Sequence, residues 1–224
     1  MRKKSKKLEA KRKRSVNLRK LTLLRIPKML RHERKANRQG FKFIAGLDEA
    51  GRGPLAGPVV AAAVILKDVV FKARIDDSKR LTPKLRSLAY REILEKAWIG
   101  VGIVCEKVID QVNIYNATIA AMEQAVANLS KTPDYLLIDG TLKLDLNCGK
   151  RCIIRGDSKS LSIACASIVA KVVRDDMMHG YHKKFPKYGF DRHKGYGTKE
   201  HFSLIKRYGP SPIHRMSFYP LRSY

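Results

Sequence analysis

Asp48 and Glu49 are neighbours in the stretch GLDEAGRGPLAGPVV, and two later apolar runs also lead to an acid: YLLI to Asp139 and CIIR, across Gly156, to Asp157. Chemistry in sheet proteins gathers at strand ends, where the sheet holds side chains rigidly. If these ends meet, four carboxylates share one basin. Carboxylates that close repel, so they share protons or take up cations. An all-oxygen donor set favours hard divalent ions such as Mg²⁺ or Mn²⁺. The chain as a whole is strongly basic, with 47 Lys and Arg against 20 Asp and Glu and a net charge of +27. Such an excess points to a polyanionic partner, nucleic acid or an anionic membrane surface. Two divalent ions about 3.5–4 Å apart are a standard means of cleaving a phosphodiester, one activating water and the other stabilising the leaving oxygen. The acids are then tolerated because metal fills the space between them, while Lys and Arg around the rim hold the polyanion.

A single Asp at a strand end is usually a turn or capping residue, and Asp139 or Asp157 alone reads that way. The Asp-Glu pair is harder to dismiss, because Gly51 and Gly53 bracket Arg52 and let backbone approach a ligand closely. GRGPLAG is not a dinucleotide fingerprint: its third Gly comes one position late, and Pro54 and Pro58 oppose a helix opening there.

The elements that must position these residues alternate in type. Residues 30–39 read as a short polar helix stopped by Gly40. FKFIAGL reads as a strand and VVAAAVIL as a fully buried one. Thr82 is placed as N-cap and Pro83 as first helical residue, and WIGVGIVC is a strand. Ile114, Ala117, Ala121, Met122, Ala125 and Leu129 keep helical spacing, so a helix runs to about Leu129. DYLLIDG and RCIIRGD are short strands, and LSIACASIVAKVVRDDMMHGYHKK is a long helix with a buried first half. A short helix follows near 198–206, and the proline-rich YGPSPIHRMSFYPL is an irregular strap. The pattern predicts one α/β domain around a central sheet, partly antiparallel because its opening strands are joined by short turns.

Residues 1–39 hold 17 of the 47 Lys and Arg but only two acids, Glu9 and Glu33. Residues 1–29 are read as a basic, disordered arm that adds non-specific electrostatic affinity, and residues 30–224 as the folded domain. An organelle presequence is also Arg-rich and acid-poor, but Ser5 and Ser15 are sparse for one; Met29 is a second candidate start of translation. The longest apolar run near the motif, PVVAAAVIL, is too short to span a bilayer, and LTLLRI is too short for a secretory core. The four cysteines suit a reducing, cytoplasmic setting, and Cys148 and Cys152 lack the further ligands of a zinc site. DSKRLT (77–82) and DSKSLS (157–162) echo each other, each placing a Lys and hydroxyls near a helix start; an anion site and plain helix capping explain this equally well.

Taken together, AGLDEAGRGPLAGPVVAAAVIL, DDSKRLT, LIDG, GDSKSLSIACASIVAKV, HKGYGTKEH and SPIHRMSF resemble the successive motifs of the ribonuclease HII (type 2 ribonuclease H) family, in the family's order and across residues 30–220. The resemblance implies a ribonuclease H-like fold: a mixed β-sheet flanked by helices, with a helical C-terminal region. It implies an endonuclease that hydrolyses RNA in RNA–DNA hybrids and cuts 5′ of ribonucleotides embedded in duplex DNA. The products would carry 3′-hydroxyl and 5′-phosphate ends, and the reaction would serve removal of misincorporated ribonucleotides and RNA primers. By the same resemblance Asp48, Glu49, Asp139 and Asp157 are the catalytic, metal-binding carboxylates for Mn²⁺ or Mg²⁺. Gly51, Arg52 and Gly53 form the turn that reads the ribose 2′-hydroxyl, Tyr196 packs on the sugar at the junction, and Lys79 contacts phosphate. A monomer is expected. The physics agrees with these roles: the 2′-hydroxyl is what distinguishes RNA from DNA, and phosphate contacts position a duplex without reading its sequence.

His193 and His201, beside Tyr196, are read as loop packing rather than phosphate ligands, and His214 as fixing the strap. Phe185, Tyr188 and Phe190 are read as core. Cys165 stands where many relatives have a small residue, and Met216 where a second basic residue is common; neither touches a carboxylate. Two other readings compete. A non-catalytic basic binder has little reason to concentrate negative charge beside its ligand. A recombination-type nuclease shares the chemistry but lacks a use for the GRG turn and Tyr196.

Overall fold

The structure is a computed structural model that describes residues 25–223. Its five-stranded sheet has the order β3-β2-β1-β4-β5. β1 (Ile44–Ala50) pairs antiparallel with β2 (Val59–Leu66), which pairs antiparallel with β3 (Ala97–Val104). On its other side β1 runs parallel to β4 (Tyr135–Asp139), and β4 parallel to β5 (Gly149–Ile153). The mixed sheet and its flanking helices are those expected from the sequence.

β2 is buried on both faces because its side chains alternate between two helical layers. Val59, Ala61, Ala63 and Ile65 pack in one layer with α3 (Glu106–Ala127). Ala62 and Val64 pack in the other with α2 (Pro83–Lys96) and the apolar first half of α4 (Leu161–Lys184). Small residues set the distance between layers. A Cβ on Gly46 of β1 would lie 2.2 Å from the carbonyl carbon of Ser162, so α4 rests directly on the strand backbone. The helices begin where hydroxyls can accept: Thr82 takes the Leu85 N–H, Ser160 the Ile163 N–H and Thr198 the His201 N–H, the last opening α6 (Lys199–Tyr208).

Helix α1 (Arg31–Arg38) is amphipathic, and its buried Glu33 clamps the start of α4. Glu33 Oε1 accepts from the hydroxyls of Ser160 and Ser162 at 2.6 and 2.8 Å and from the Ser162 N–H at 3.0 Å. In the second copy of the DSK echo Ser160 caps the helix, the Ser158 hydroxyl donates to the Arg155 carbonyl and that of Ser162 to Glu33, so all three are engaged within the fold.

Four boundaries differ from expectation. β5 covers Gly149–Ile153, not 151–157, because the chain leaves the sheet at Ile154 and Arg155, the latter in the left-handed region (φ 56°), to enter the short helix that carries Asp157. β1 begins at Ile44, not Phe41, because the Asp134 carboxylate accepts the N–H groups of Lys42 and Phe43 and takes them out of the ladder. α3 begins at Glu106, ahead of Ile114, and breaks at Asn113 (φ 67°), whose side chain caps the second part through the N–H groups of Tyr115 and Asn116. Residues 25–29, assigned to the arm, are helical: Ile26 and Met29 are buried in the core and Arg25 forks onto buried Asp76. The rest of the expected arm lies outside the described residues. Among the described residues no helix is long and apolar enough to cross a membrane.

Gly46→Ala is expected to push α4 off the sheet and cost about 3 kcal/mol, read as a lowered urea midpoint with unchanged slope; an unchanged midpoint would show that the strand–helix spacing is set elsewhere.

Candidate active site

The β1–β4 register decides where the acids fall. Leu47 pairs with Ile138, both in the α3 core layer, so the next residue on each strand, Asp48 and Asp139, stands side by side on the α4 face. Asp139 Oδ1 accepts the Gly156 N–H at 2.6 Å, which draws the turn carrying Asp157 against the end of β4. Asp48 Oδ1 accepts the Glu49 N–H at 2.7 Å. These four carboxylates line one cleft of about 290 Å³ together with Gly51, Arg52, Gly53, Lys79 and Tyr196, so every site residue expected from the sequence is present. Ser78, Ser167 and Lys171 line it too, unforeseen. Ser167 and Lys171 are four residues apart on α4 and share a face; a polar pair at that spacing in an apolar helix was the available signal.

The cleft strains its own charges. Burial holds the Asp48 carboxyl well above the usual range, with Glu49 and Asp139 adding repulsion and hydrogen bonds from the Glu49 N–H and the Ser167 hydroxyl partly offsetting it. Glu49 is raised by burial and by Asp139, against the pull of Arg52, whose Nη1 is 3.5 Å from Glu49 Oε1. Asp157 is raised by burial, then by Asp77 and Asp139. A divalent cation would relieve all three at once, and the donors are hard oxygens, so the set fits Mg²⁺ or Mn²⁺. Among the described residues no three His, Cys, Asp or Glu side chains are placed so as to hold an ion by themselves.

Two buried arginines hold the GRG turn without any carboxylate within ion-pair distance among the described residues. Arg215 donates to the carbonyls of Gly51, Arg52, Pro54 and Gly57 at 2.6–3.1 Å. Arg174 donates to those of Ala56, Pro58 and Lys194 at 3.0–3.1 Å. Gly51 (φ 101°) must be glycine, since a Cβ there would sit 2.2 Å from Arg174 Nε. Burial lowers Arg215 to about 9, so it remains a cation at neutral pH.

A family model described as Ribonuclease HII matches residues 45–220. The ribonuclease HII of Acetivibrio thermocellus is 54% identical over 197 residues, covering 88% of this chain and 77% of that protein. The chain belongs to the ribonuclease HII family. It is an endoribonuclease, a phosphodiester hydrolase. Among solved structures, the ribonuclease H2 of Pyrococcus horikoshii superposes with a TM-score of 0.69 at 24% identity, over 81% of this chain and 96% of that one. Bst-RNase HIII in complex with Mn²⁺ superposes with a TM-score of 0.58 at 18% identity, over 80% of this chain and 68% of that one. Both share the ribonuclease H-like fold.

The histidines support Tyr196 through its main chain. His201 Nδ1–H donates to the Tyr196 carbonyl at 3.0 Å, so its Nε2 is left to accept from His214 Nε2–H at 3.0 Å, and His214 Nδ1 accepts the Ser211 N–H at 2.7 Å. The chain works only with both rings neutral. Burial first, then the neighbouring rings, lowers His201 to about 3; burial chiefly lowers His214 to about 4. His193 stacks on His201 with ring centres 4.2 Å apart, and its Nε2 donates to the Tyr188 carbonyl. The packing role expected for all three holds. Tyr188 and Phe190 are core, stacked 5.5 Å apart, with Phe185 packed partly buried against their cluster.

Arg215→Lys is expected to leave several of these carbonyls without a partner, lowering stability by about 3 kcal/mol and kcat/KM by more than stability alone explains, measured below the melting transition. A variant as stable as its parent would show that the fan of bonds does not hold the turn. The histidine pair makes the fold acid-sensitive. A His whose folded pKa is depressed contributes stability above the unfolded pKa of about 6.5 and loses it as pH falls towards the folded value. Two such groups cost about 4 kcal/mol between pH 7 and pH 5, read by denaturant titration; His214→Gln should flatten that dependence.

Proposed function

We propose that this enzyme hydrolyses the RNA strand of RNA–DNA hybrids and cuts duplex DNA on the 5′ side of an embedded ribonucleotide, leaving 3′-hydroxyl and 5′-phosphate ends. One observation carries the reading: the four carboxylates, the GRG turn and Tyr196 line a single cleft. Asp48, Glu49, Asp139 and Asp157 would hold two divalent ions, Mg²⁺ or Mn²⁺, and the Mn²⁺ in Bst-RNase HIII supports that choice. Such ions, when bound, supply Lewis acidity to the attacking and leaving oxygens of the phosphodiester.

The chain's own residues supply discrimination and position. The turn at Gly51–Gly53 presents main-chain groups to the ribose 2′-hydroxyl, and a Cβ at Gly53 would meet nothing within 4 Å, so the backbone there is open to a sugar. The Tyr196 ring is 42% exposed and lies 5.7 Å from Lys171 Nζ and 5.8 Å from the Arg174 guanidinium carbon, both over its face. Those cations steady the ring, and its exposed part suits a deoxyribose next to the ribonucleotide. Lys79 contacts a phosphate at the rim and fixes the strand without reading sequence. The site is complete within one chain, which suits a monomer, and four free thiols suit a reducing cytoplasm. Clearing ribonucleotides and RNA primers from DNA is the role that follows.

The test is a DNA duplex with one ribonucleotide, compared in Mg²⁺, Mn²⁺ and chelator beside an all-DNA duplex. Expected are one cut 5′ of the ribonucleotide, none in chelator, none in all-DNA, and a rate for Asp48→Asn lower by ~10³-fold or more. Cutting of hybrids while the lone ribonucleotide is spared would remove the junction reading.

A further inference from the structure

A concavity of about 1190 Å³ lies away from the carboxylates, between residues 27–38 and the outer edge of β5. Seven Lys and Arg side chains line it, and no Asp or Glu does. Lys28, Arg31, Lys35 and Arg38 recur every three or four residues along a nearly continuous helical segment, so they share a face. That stripe spans about 15 Å, the rise of roughly four base pairs. The opposite face buries Ile26, Met29, Glu33 and Ala36. Arg151 of β5 and Lys159 line the same concavity. Among the described residues Arg31, Lys35, Arg38 and Arg151 make no ion pair, so their charge is not spent within the fold.

The groove is fixed relative to the cleft and leads towards it. Glu33 bonds the stripe's helix to Ser160 and Ser162, just beyond Asp157. A second concavity of about 450 Å³ shares Lys28, Arg31, His32 and Lys159 with the groove and reaches Arg80 and Ser158. Those two are the direct neighbours of Lys79 and Asp157 in the cleft. Positive charge crowds the junction: burial first, and then Arg151, Arg31 and Lys159, hold the His32 ring below its ordinary pKa.

We propose that this groove is a second nucleic-acid site, taking the sugar–phosphate backbone of the duplex flank beyond the point of cleavage. The inference rests on the reading of the cleft as a site for a duplex. A membrane surface fits less well, because Ile154 is the one large apolar side chain exposed in the lining among the described residues. An elongated, acid-free track leading out of a phosphodiester site suits a backbone that continues in both directions.

The experiment measures binding of an all-DNA duplex without metal, by fluorescence anisotropy across a salt series, so that it does not depend on cleavage. The test variant is Arg31→Gln/Lys35→Gln/Arg38→Gln/Arg151→Gln. A charge-matched control, Lys183→Gln/Lys184→Gln/Lys187→Gln/Lys206→Gln, removes as much charge around the far end of α4. Expected is an affinity loss on the order of 10-fold or more in the test variant, with a salt slope shallower by about three. The control should keep the parent slope, and a variant carrying Lys at Arg31, Arg38 and Arg151 should restore it. An unchanged slope in the test variant would overturn the site, as would an equal change in the control. Failure of the cleavage assay with the expected slopes would overturn the cleft's assignment and leave the groove standing as a duplex site.

Discussion

Leu47 of β1 pairs with Ile138 of β4 in parallel register, and both side chains enter the core layer under α3. Strand side chains alternate, so Asp48 and Asp139 must emerge together on the other face. A slip of one residue on β1 would send Asp48 into an apolar layer and turn Leu47 towards the cleft. The hydrophobic pattern therefore does chemical positioning: the apolar partners choose the register, and the register brings like charges together. Nothing in the acids themselves favours that arrangement, since burial and mutual repulsion raise Asp48, Glu49 and Asp157. The sheet overrules them, and a cation is the natural third party.

The compensation takes an unusual form. A buried guanidinium normally meets a carboxylate. Arg174 and Arg215 meet main-chain carbonyls instead, within the loop that joins β1 to β2 and the segment before Tyr196. Neither charge is neutralised by a salt bridge among the described residues, so both leave a fixed positive field behind the Gly51–Gly53 turn and Tyr196. The carboxylates remain available to metal. The neutral histidine chain completes the same support, bonding the strap to the Tyr196 carbonyl without adding charge.

Much of this was legible in residue order. Continuous apolar character marked β2, Thr82 and Pro83 marked a helix start, and the run of motifs marked the cleft. What escaped has physical causes. Residues 25–29 were lost in the basic run, because the charges of Arg25 and Lys28 hid the i, i+3, i+4 apolar spacing of Ile26, Met29 and Leu30. The first part of α3 was missed because Asn113 breaks the periodicity and restarts it in a new phase. Arg174 and Arg215 gave no signal, since a lone Arg reads as surface until its carbonyl partners, far away in sequence, are known. Ser167 lies among apolar neighbours in sequence, and only its spacing to Lys171 carries the information.

Arg215 and Gly51 are bonded across 164 residues. The bond closes a loop that contains most of the domain, so the turn beside the carboxylates is finished by a segment far from it in sequence. A chain that folds as it is made can lay down the antiparallel β1–β2–β3 ribbon early and add β4 later, but the Gly51–Gly53 turn lacks its Arg215 bonds until the strap is present. The turn beside the carboxylates and the strap are thereby completed together, since neither has its partners until the whole path from β1 to Arg215 exists.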